Sequence, residues 1–255
     1  MNYTSSEMMT IAAARALKND DVCFVGIGLP SAACNLARLT HAPKIVLVYE
    51  SGTIETKPQV LPLSIGDGEL CETALTTVAV PEMFRYWLQG GRMTVGFLGG
   101  AQVDRFGNLN STVIGPYEKP KVRLPGSGGA SEIATSCGKI YIIMQHNKRA
   151  FTEKIDFLTS LGHGRTGRER QELGVQTEGP ALLVTDLCMM KLEPETNEFV
   201  VVSLHPGISE QSVRENTGWN IRFAAKVEET PPPTDIELQV LRDLHARTAR
   251  AHSSV

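Results

Sequence analysis

The fold is decided by residues 22–49, which read VCFVGIGLPSAACNLARLTHAPKIVLVY. The stretch begins with a short apolar run, Val22–Val25, which stops at a pair of closely spaced glycines. Pro30 then suits the first turn of a helix, because a backbone N–H at that position has no intrahelical partner in any case. Residues 44–49 are rich in β-branched side chains and predict a strand that is buried on both faces. The order strand, turn, helix, strand predicts an α/β fold with an open, mostly parallel sheet flanked by helices.

The same alternation of helices and strands continues on both sides of this stretch. A capping box at Thr4 and Glu7 predicts an N-terminal helix that runs to residue 17. Later runs predict helices over 81–88 and 209–216, strands over 93–97, 139–144 and 181–185, and a hairpin of 188–192 with 198–204.

The C-terminal region differs from the rest of the chain. Residues 230–234 read Thr-Pro-Pro-Pro-Thr, which favours an extended segment. Residues 235–250 carry apolar side chains at helical spacing and predict a docked helix, although a frayed tail fits the same position. The apolar residues in question are Ile236, Leu238, Leu241 and Leu244. We therefore predict one domain over residues 1–229, followed by a Pro-rich linker and a C-terminal helix over residues 230–255.

The composition is that of an ordinary globular protein, with 42% hydrophobic and 21% charged residues among 255. The net charge of −3 gives no general attraction to nucleic acid or to anionic lipid. No apolar run is long enough to span a membrane, and the first twelve residues lack the basic and apolar regions of a secretory signal. The five cysteines are widely spaced, without a C-x-x-C pair, which predicts buried, reduced thiols in the cytoplasm.

Three glycine clusters, at residues 26–28, 96–100 and 126–129, each lie next to a predicted strand. Glycine at a strand end lets backbone N–H groups approach a ligand closely. None of the clusters matches a nucleotide fingerprint, because the first lacks the third glycine and none is followed by Lys-Ser or Lys-Thr. One cluster alone is as well explained by a tight turn, whereas three favour a ligand with phosphates or a developing oxyanion.

Glu50 is the sharpest candidate for chemistry. It follows the predicted strand 44–49 directly and precedes Ser51 and Gly52, a turn signal. Ligands of open α/β sheets bind beyond the carboxyl ends of strands, which is where this carboxylate is expected to lie. A solvated acid at a strand end is the alternative, and Glu55 is the nearest competing acid, which we expect to be exposed.

Six motifs of the chain resemble those of family I coenzyme A transferases. The residues Val48-Tyr-Glu-Ser-Gly52 are similar to the nucleophile motif of the glutaconate type, whereas 3-oxoacid CoA transferases carry a Ser-Glu-Asn-Gly version. Three others look like the same family in the same order: Gly26-Ile-Gly-Leu-Pro30, Gly99-Gly-Ala-Gln-Val-Asp-Arg-Phe-Gly-Asn-Leu-Asn110 and Gly126-Ser-Gly-Gly-Ala130. Two more that match are Met144-Gln-His-Asn-Lys-Arg149 and Gly167-Arg-Glu-Arg170. The chain is thus identified as a B (beta) subunit of the glutaconate CoA-transferase type, over residues 4–225.

The resemblance implies the fold of this family, which is NagB/RpiA-like, and a ping-pong reaction through a glutamyl-CoA thioester on Glu50. It also implies that the N–H groups of Gly128 and Gly129 bind the oxyanion. The remaining residues expected to face the acyl or CoA chain are Gly99, Gly100, Gly26, Gly28 and Gln102. Gln102, Asp104 and Asn108 are expected to orient the neighbouring loop, either in contact with the ligand or as parts of a hydrogen-bonded turn.

The resemblance further implies that no metal or cofactor is needed and that coenzyme A is itself a substrate. The scattered histidines show no metal-binding pair, and His146 is expected to be a packed or surface residue. A homologous alpha subunit is the expected partner, in a hetero-oligomer of the (αβ)n type acting on an acyl-CoA and a dicarboxylate such as glutaconate or 3-oxoadipate.

Two other functions fit the same motifs. Relatives with this fold act as hydrolases or decarboxylases of CoA-bound dicarboxylates, but they typically replace the glutamate that is present here as Glu50. A non-catalytic scaffold is the second alternative.

The basic segment over residues 162–170 offers Arg165, Arg168 and Arg170 to CoA phosphates or to the partner subunit. A plain solvated loop is an equal alternative for this segment.

Overall fold

The computed structural model describes residues 2–253, which form two compact units. The first runs from the N-terminus to Phe97 and resumes at Pro232, and the second is Leu98–Pro231. The range 1–229, predicted as one domain, contains parts of both units, so that boundary stays a prediction.

Strands and helices alternate along the described residues. The strands are β1 (Val22–Val25), β2 (Val46–Tyr49), β3 (Thr53–Ile54), β4 (Thr76–Thr77), β5 (Val95–Leu98), β6 (Gln102–Val103), β7 (Leu109–Asn110), β8 (Val113–Ile114), β9 (Val122–Arg123), β10 (Lys139–Ile143), β11 (Gly179–Val184), β12 (Cys188–Leu192), β13 (Phe199–Leu204) and β14 (Arg222–Glu229). The helices are α1 (Ser5–Arg15), α2 (Leu29–Leu39), α3 (Gly68–Glu72), α4 (Val80–Glu82), α5 (Ala130–Ser136), α6 (Glu169–Glu172), α7 (Glu210–Glu215) and α8 (Asp235–His252). Every element predicted from the sequence is present with its ends shifted by one or two residues, except that the helix over 81–88 winds mainly as a π-helix, Met83–Leu88.

The first unit is built on the strand order β5-β1-β2-β3-β4. β1 runs parallel to both β2 and β5, and β3 and β4 add antiparallel strands at one side. β2 begins two residues later than predicted, because the N–H of Ile45 is held in a turn by the carbonyl of Ala42. Leu47, Val48 and Tyr49 are all fully buried, so the prediction of a strand covered on both faces is confirmed.

The two terminal helices of this unit are joined by a reciprocal pair of ion pairs. Each helix begins with a Thr-x-x-Glu capping box, and the glutamate of each box binds an arginine of the other helix. Glu7 of α1 contacts Arg242 of α8 at 2.6 Å, and Glu237 of α8 contacts Arg15 of α1 at 2.7 Å. The predicted C-terminal helix is therefore docked, not frayed. Ile236 is an exception to its predicted apolar face, because this side chain is exposed.

The second unit has the strand order β14-β13-β12-β11-β10. β10 and β11 are parallel, β12 and β13 form the predicted antiparallel hairpin, and β14 lies parallel to β13. Two small antiparallel pairs, β6 with β7 and β8 with β9, stand apart from these strands. The predicted α/β class with a mostly parallel sheet flanked by helices is confirmed.

Helix length and cysteine burial bear on two further predictions. No helix within residues 2–253 is long and apolar enough to cross a membrane. The cytoplasmic location stays a prediction. Four cysteines are buried, but the prediction is wrong at Cys71, which is exposed because only Leu70 of the short helix α3 points into the core.

Candidate active site

Glu50 lies in the tight turn that joins β2 to β3. The N–H of Gly52 donates to the carbonyl of Tyr49 at 3.0 Å and closes this turn over Glu50 and Ser51. Gly52 has φ 104°, and a Cβ at this residue would lie 1.9 Å from the carbonyl oxygen of Val78. Only glycine fits there, so Gly52 dictates where the Glu50 side chain leaves the sheet.

The residue before Glu50 is anchored to helix α2. Tyr49 is fully buried, and its hydroxyl is hydrogen-bonded to the hydroxyl of Ser31 at 2.8 Å. Burial raises the pKa of Tyr49 well above its ordinary value, so the phenol remains neutral and acts as a tether. The turn that carries Glu50 is thereby fixed to the first residues of α2.

The structure brings the first glycine cluster to the same edge as Glu50. The parallel register places Val25 opposite Tyr49, so Gly26 and Glu50 leave neighbouring strands side by side. Gly28 caps α2 with φ 82° and ψ −128°, which L-residues rarely adopt, while a Cβ there would meet nothing within 4 Å. Gly28 is therefore required by backbone conformation and leaves open space at this edge.

Glu50 is half-buried as a residue, and no hydrogen bond or ion pair engages its carboxylate within the unit formed by residues 2–97 and 232–253. Glu55, the competing acid, is only half-exposed and pairs with Lys57 at 3.0 Å. The expectation that Glu55 is exposed is thus only partly met, because the ion pair holds it against the surface. Of the two acids, Glu50 is the one whose oxygens remain available.

In the second unit, residues 126–129 form a glycine turn directly before α5. The N–H of Ala130 donates to the carbonyl of Ser127 at 2.8 Å and closes the turn. Gly128, with φ 48°, and Gly129 occupy its centre, and their N–H groups donate to no acceptor within residues 98–231. Two neighbouring donors of this kind are what an oxyanion requires.

The Gly99-Gly100 pair follows β5 and leads into β6. A Cβ at Gly100 would lie 3.0 Å from the carbonyl oxygen of Asn110, so glycine permits this close approach. Gln102 is buried, donates to the Asp156 carboxylate at 3.1 Å and accepts from the side chain of Asn110 at 2.7 Å. These bonds favour the hydrogen-bonded-turn interpretation for Gln102, and its contact with CoA stays a prediction.

Asp104 and Asn108 hold the neighbouring loop together. Asp104 Oδ1 accepts from the N–H groups of Phe106 at 3.0 Å and Asn108 at 3.1 Å, and Oδ2 accepts from Asn108 Nδ2 at 2.8 Å. Burial nevertheless raises the pKa of Asp104 to about 6, against the opposing effect of these bonds. Asn108 Oδ1 also accepts from Gly162 and Gly164, which ties the basic segment to this loop.

The basic segment over residues 162–170 is buried at both ends, while Arg165, Thr166 and Arg168 are exposed, so the solvated-loop alternative holds only for its middle. Arg170 is 1% exposed and donates to the carbonyl of Thr177 at 3.0 Å, and burial lowers its pKa to about 10. A contact of Arg170 with CoA phosphates or a partner is therefore excluded, because its guanidinium already bonds internal acceptors. Arg165 and Arg168 are exposed, and their contacts stay a prediction.

A groove of about 620 Å³ lies beside this loop and was not visible in the sequence. It carries both signs of charge, and one of its cations, Arg105, is paired with Glu153 at 3.1 Å. Its other lining residues include Lys154, Asp156, Phe157 and Arg165. Because the groove carries both positive and negative side chains, its charge alone does not favour an anionic ligand.

His146 is a packed residue, as the sequence favoured. Its Nε2 lies 2.9 Å from the hydroxyl of Thr217, and its ring stacks on Phe151 at 3.8 Å. Burial lowers the pKa of His146 to about 3, so the ring stays neutral. Among residues 2–253 no group of three or more His, Cys, Asp or Glu is placed to hold a metal ion. A reaction without metal or cofactor stays a prediction.

The chain is similar to known proteins over nearly its whole length. Residues 6–216 match the family described as Coenzyme A transferase. The chain is 63% identical to the B subunit of the 3-oxoadipate CoA-transferase of Pseudomonas knackmussii, over 98% of this chain and 96% of that protein. It is 40% identical to the B subunit of the glutaconate CoA-transferase of Acidaminococcus fermentans, over 93% and 91%. The solved glutaconate coenzyme A-transferase of that organism matches with a TM-score of 0.88 at 35% identity, over 94% of each chain.

The chain therefore belongs to the coenzyme A transferase family. The predicted family, the enzyme class and the coenzyme A transferase fold are confirmed by these matches. Both relatives are B subunits, so the chain is of the B-subunit type of 3-oxoadipate and glutaconate CoA transferases.

Proposed function

We propose that this chain is the B (beta) subunit of a heteromeric enzyme that moves CoA between an acyl-CoA and 3-oxoadipate or a closely related dicarboxylate. The identity of 63% to the B subunit of a 3-oxoadipate CoA-transferase, against 40% to the glutaconate counterpart, supports 3-oxoadipate as the first acid to test. The observation that carries the proposal is the position of Glu50, an unengaged carboxylate in a rigid turn beside Gly26.

In the first half of the reaction, a carboxylate oxygen of Glu50 attacks the thioester carbonyl of the acyl-CoA. The C–S bond breaks, CoA leaves as its thiolate, and a mixed anhydride joins the acyl group to Glu50. The thiolate then attacks the glutamyl carbonyl and releases the acid as its carboxylate. Glu50 now carries CoA as a thioester, and no net proton has been gained or lost.

In the second half, the incoming dicarboxylate attacks the glutamyl thioester and forms a second anhydride. The released thiolate attacks the substrate carbonyl of this anhydride, which yields the new acyl-CoA and frees the Glu50 carboxylate. Each step exchanges a carboxyl or thiol group at a carbonyl carbon, so we propose that neither a metal nor a redox cofactor takes part. Full activity after prolonged chelation is the expected control result.

Each attack places negative charge on a carbonyl oxygen, and a carboxylate is a weak nucleophile. Stabilisation of that oxyanion must therefore supply much of the rate. We assign this task to the N–H groups of Gly128 and Gly129, which have no acceptor of their own within residues 98–231. The positions at which the acyl and pantetheine chains approach the backbone closely are assigned to Gly99, Gly100, Gly26 and Gly28.

We also propose that a homologous alpha subunit completes the enzyme in an (αβ)n assembly. Both relatives described above are named as B subunits, which implies a further, different subunit in those enzymes. The chain alone is expected to be inactive, and the co-produced pair active. Full activity of the purified single chain would show that no alpha subunit is needed.

The decisive experiment traps the covalent intermediate. The assembled enzyme is incubated with acyl-CoA, treated with borohydride, which reduces a glutamyl thioester to an alcohol, and digested for mass spectrometry. We expect loss of activity and a reduced side chain at Glu50, with Glu55 unmodified as an internal control. Enzyme incubated with the free acid alone should keep its activity.

The same experiment separates transfer from the other functions. An unmodified Glu50 together with rapid hydrolysis or decarboxylation of the acyl-CoA would contradict the transfer mechanism. Full activity of the assembled complex with Glu50→Gln would instead identify the chain as a scaffold.

A further inference from the structure

Ser111 forms two hydrogen bonds with Gly126, the first residue of the glycine turn 126–129. Its hydroxyl donates to the carbonyl oxygen of Gly126 at 2.8 Å. The N–H of Gly126 donates in return to the carbonyl of Ser111, also at 2.8 Å. Both backbone groups of Gly126 are therefore held by a single residue.

These two hydrogen bonds lie beyond the end of the regular pairing of β8 with β9. β8 and β9 pair Val113 with Arg123, and the same register would place Ser111 opposite Pro125. The N–H of Leu124 donates to the carbonyl of Thr112 at 3.0 Å, so Ser111 and Pro125 would form a pair without ladder hydrogen bonds. The same register would place Gly126 opposite Asn110, but its N–H donates to Ser111 instead, one residue out of register, and its φ of 98° suits glycine alone. The side-chain hydroxyl of Ser111 then supplies the hydrogen bond to the Gly126 carbonyl.

Ser111 is itself fixed by a buried threonine. The hydroxyl oxygen of Thr159 accepts from the N–H of Ser111 at 2.9 Å and is also hydrogen-bonded to the hydroxyl of Thr112 at 2.7 Å. Thr159 in turn donates its N–H to the carbonyl of Leu109 at 2.9 Å. A chain of hydrogen bonds thus runs from Leu109 through Thr159 and Ser111 to the glycine turn.

The glycine turn is held at its other end by helix α5. The N–H of Ile133 donates to the carbonyl of Gly129, and Ala130 closes the turn on Ser127. The free N–H groups of Gly128 and Gly129 therefore lie between two anchors, α5 on one side and Ser111 on the other. Glycine has little conformational preference of its own, so the direction of these donors depends on both anchors.

We propose that Ser111 is a positioning residue that aims the N–H groups of Gly128 and Gly129 at the oxyanion of the transition state. This inference rests on the proposed function, in which those N–H groups bind the oxyanion. Ser111 does not touch the substrate; it acts through the backbone of Gly126. Its effect is confined to charge that exists only in the transition state, so it changes kcat and leaves substrate binding nearly unaltered.

The test compares kinetic constants of the assembled enzyme with Ser111→Ala, Ser111→Thr and Ser203→Ala. Ser111→Ala is expected to lower kcat by about 10- to 100-fold and to change the KM for acyl-CoA by less than about twofold, since misplacement by about 1 Å can cost about 100-fold. Ser111→Thr keeps the hydroxyl and should restore most of kcat. Ser203 is the matched control, because its buried hydroxyl binds Thr230 at 2.8 Å in β13, outside the turn. Ser203→Ala should leave kcat unchanged.

Three results would overturn the inference: a kcat of Ser111→Ala within twofold of wild type, failure of Ser111→Thr to recover, or an equal loss with Ser203→Ala. If Ser111→Ala does not assemble, Thr159→Val decides in its place, because it removes the acceptor of the Ser111 N–H and spares the hydroxyl. An unchanged kcat of Thr159→Val would then reject the proposal, and a loss of kcat at constant KM would support it.

Failure of this inference is distinct from failure of the proposed function. Wild-type enzyme that gives no borohydride-sensitive adduct at Glu50 would refute the underlying mechanism. Wild-type enzyme that forms the adduct, with Ser111→Ala forming it at the same rate, would refute the role of Ser111 alone.

Discussion

Glu50 and Asp104 are two acids that each follow a short strand directly, yet their surroundings differ. Asp104 is buried, and both of its carboxylate oxygens accept hydrogen bonds from the loop that it closes. Glu50 is half-buried, and within its own unit no donor engages it. Both acids therefore lie at the end of a strand, but only Asp104 has its carboxylate oxygens occupied by hydrogen-bond donors.

Hydrogen-bond donors around its oxygens therefore separate a structural carboxylate from one that can take part in chemistry. A carboxylate that is filled with N–H donors has its lone pairs occupied and its geometry fixed, which suits a loop anchor. An unengaged carboxylate on a rigid turn keeps its lone pairs for attack at a carbonyl carbon. The following changes test this distinction.

The largest effect is expected from Glu50→Gln. The amide cannot form the anhydride, so kcat should fall by about 1,000-fold or more, as for the removal of other covalent nucleophiles. Stability should change by no more than about 0.5 kcal/mol, because no partner within the unit is lost. Steady-state kinetics and urea unfolding measure the two quantities. A large loss of stability in this variant would show that Glu50 is a structural acid after all.

The next effect concerns the pH dependence of stability at Asp104. Its folded-state pKa of about 6 is raised from an ordinary value of 3.8, so the protonated form is favoured in the folded protein. This contribution is complete below the unfolded pKa and is lost as pH rises through the folded pKa. Relative to Asp104→Asn, wild type should lose at most about 3 kcal/mol of unfolding free energy between about pH 4 and about pH 7.

Urea unfolding of both proteins across this range measures the difference. The variant provides its own control, since all other titrating groups are shared and cancel. A difference that stays constant with pH would mean that the donors of Asn108 and Phe106 outweigh burial and keep Asp104 ionised.

Glu50→Asp should cost somewhat less than Glu50→Gln. The shorter side chain withdraws the carboxylate by about 1.5 Å, the length of one C–C bond. Misplacement on this scale is expected to lower kcat by about 100-fold while the chemistry remains possible. Borohydride trapping should still label residue 50, only more slowly. Activity equal to wild type would mean that the turn is not rigid.

The smallest effect is expected from Asn108→Ala. The change leaves the N–H groups of Gly162 and Gly164 without their acceptor and should lower the unfolding free energy by about 2 kcal/mol. The kcat of the folded enzyme should stay close to wild type, because Asn108 supports a structural acid. Thermal unfolding and kinetics on the same preparation measure both. A loss of kcat without a loss of stability would mean that Asn108 takes part in catalysis.

The sequence was sufficient for the elements with strong local patterns. Residues 22–49 combine an apolar run, a glycine break and Pro30, and the structure forms β1, α2 and β2 from them. The position of Glu50 follows from the end of β2, because the parallel register also brings Gly26 to that edge. Two-residue strands such as β3 and β4 have no periodicity to detect, so they could not be predicted.

The rest of the site depends on contacts between distant parts of the chain. Arg170 looked available for phosphates because arginine is rarely fully buried. Its acceptors are carbonyl oxygens of Thr177 and Leu161, which no residue pattern reveals. Ser111 was overlooked for a similar reason: its two hydrogen bonds to Gly126 join residues that are 15 positions apart, and they are visible only once the register of β8 and β9 is known.

The reciprocal ion pairs between α1 and α8 have a consequence for engineering. The carbonyl oxygen of Asn2 is bonded to Arg242, and about 15 Å of helix then separates this arginine from the end of α8. A peptide bridge of about ten residues should therefore join Asn2 to Ser253, the first and last residues that the structure describes, as a circular permutation requires. Because of the same two ion pairs, we expect residues 2–97, produced without α8, to regain their fold when α8 is added as a separate peptide. Glu7 and Glu237 would form the ion pairs that hold this peptide.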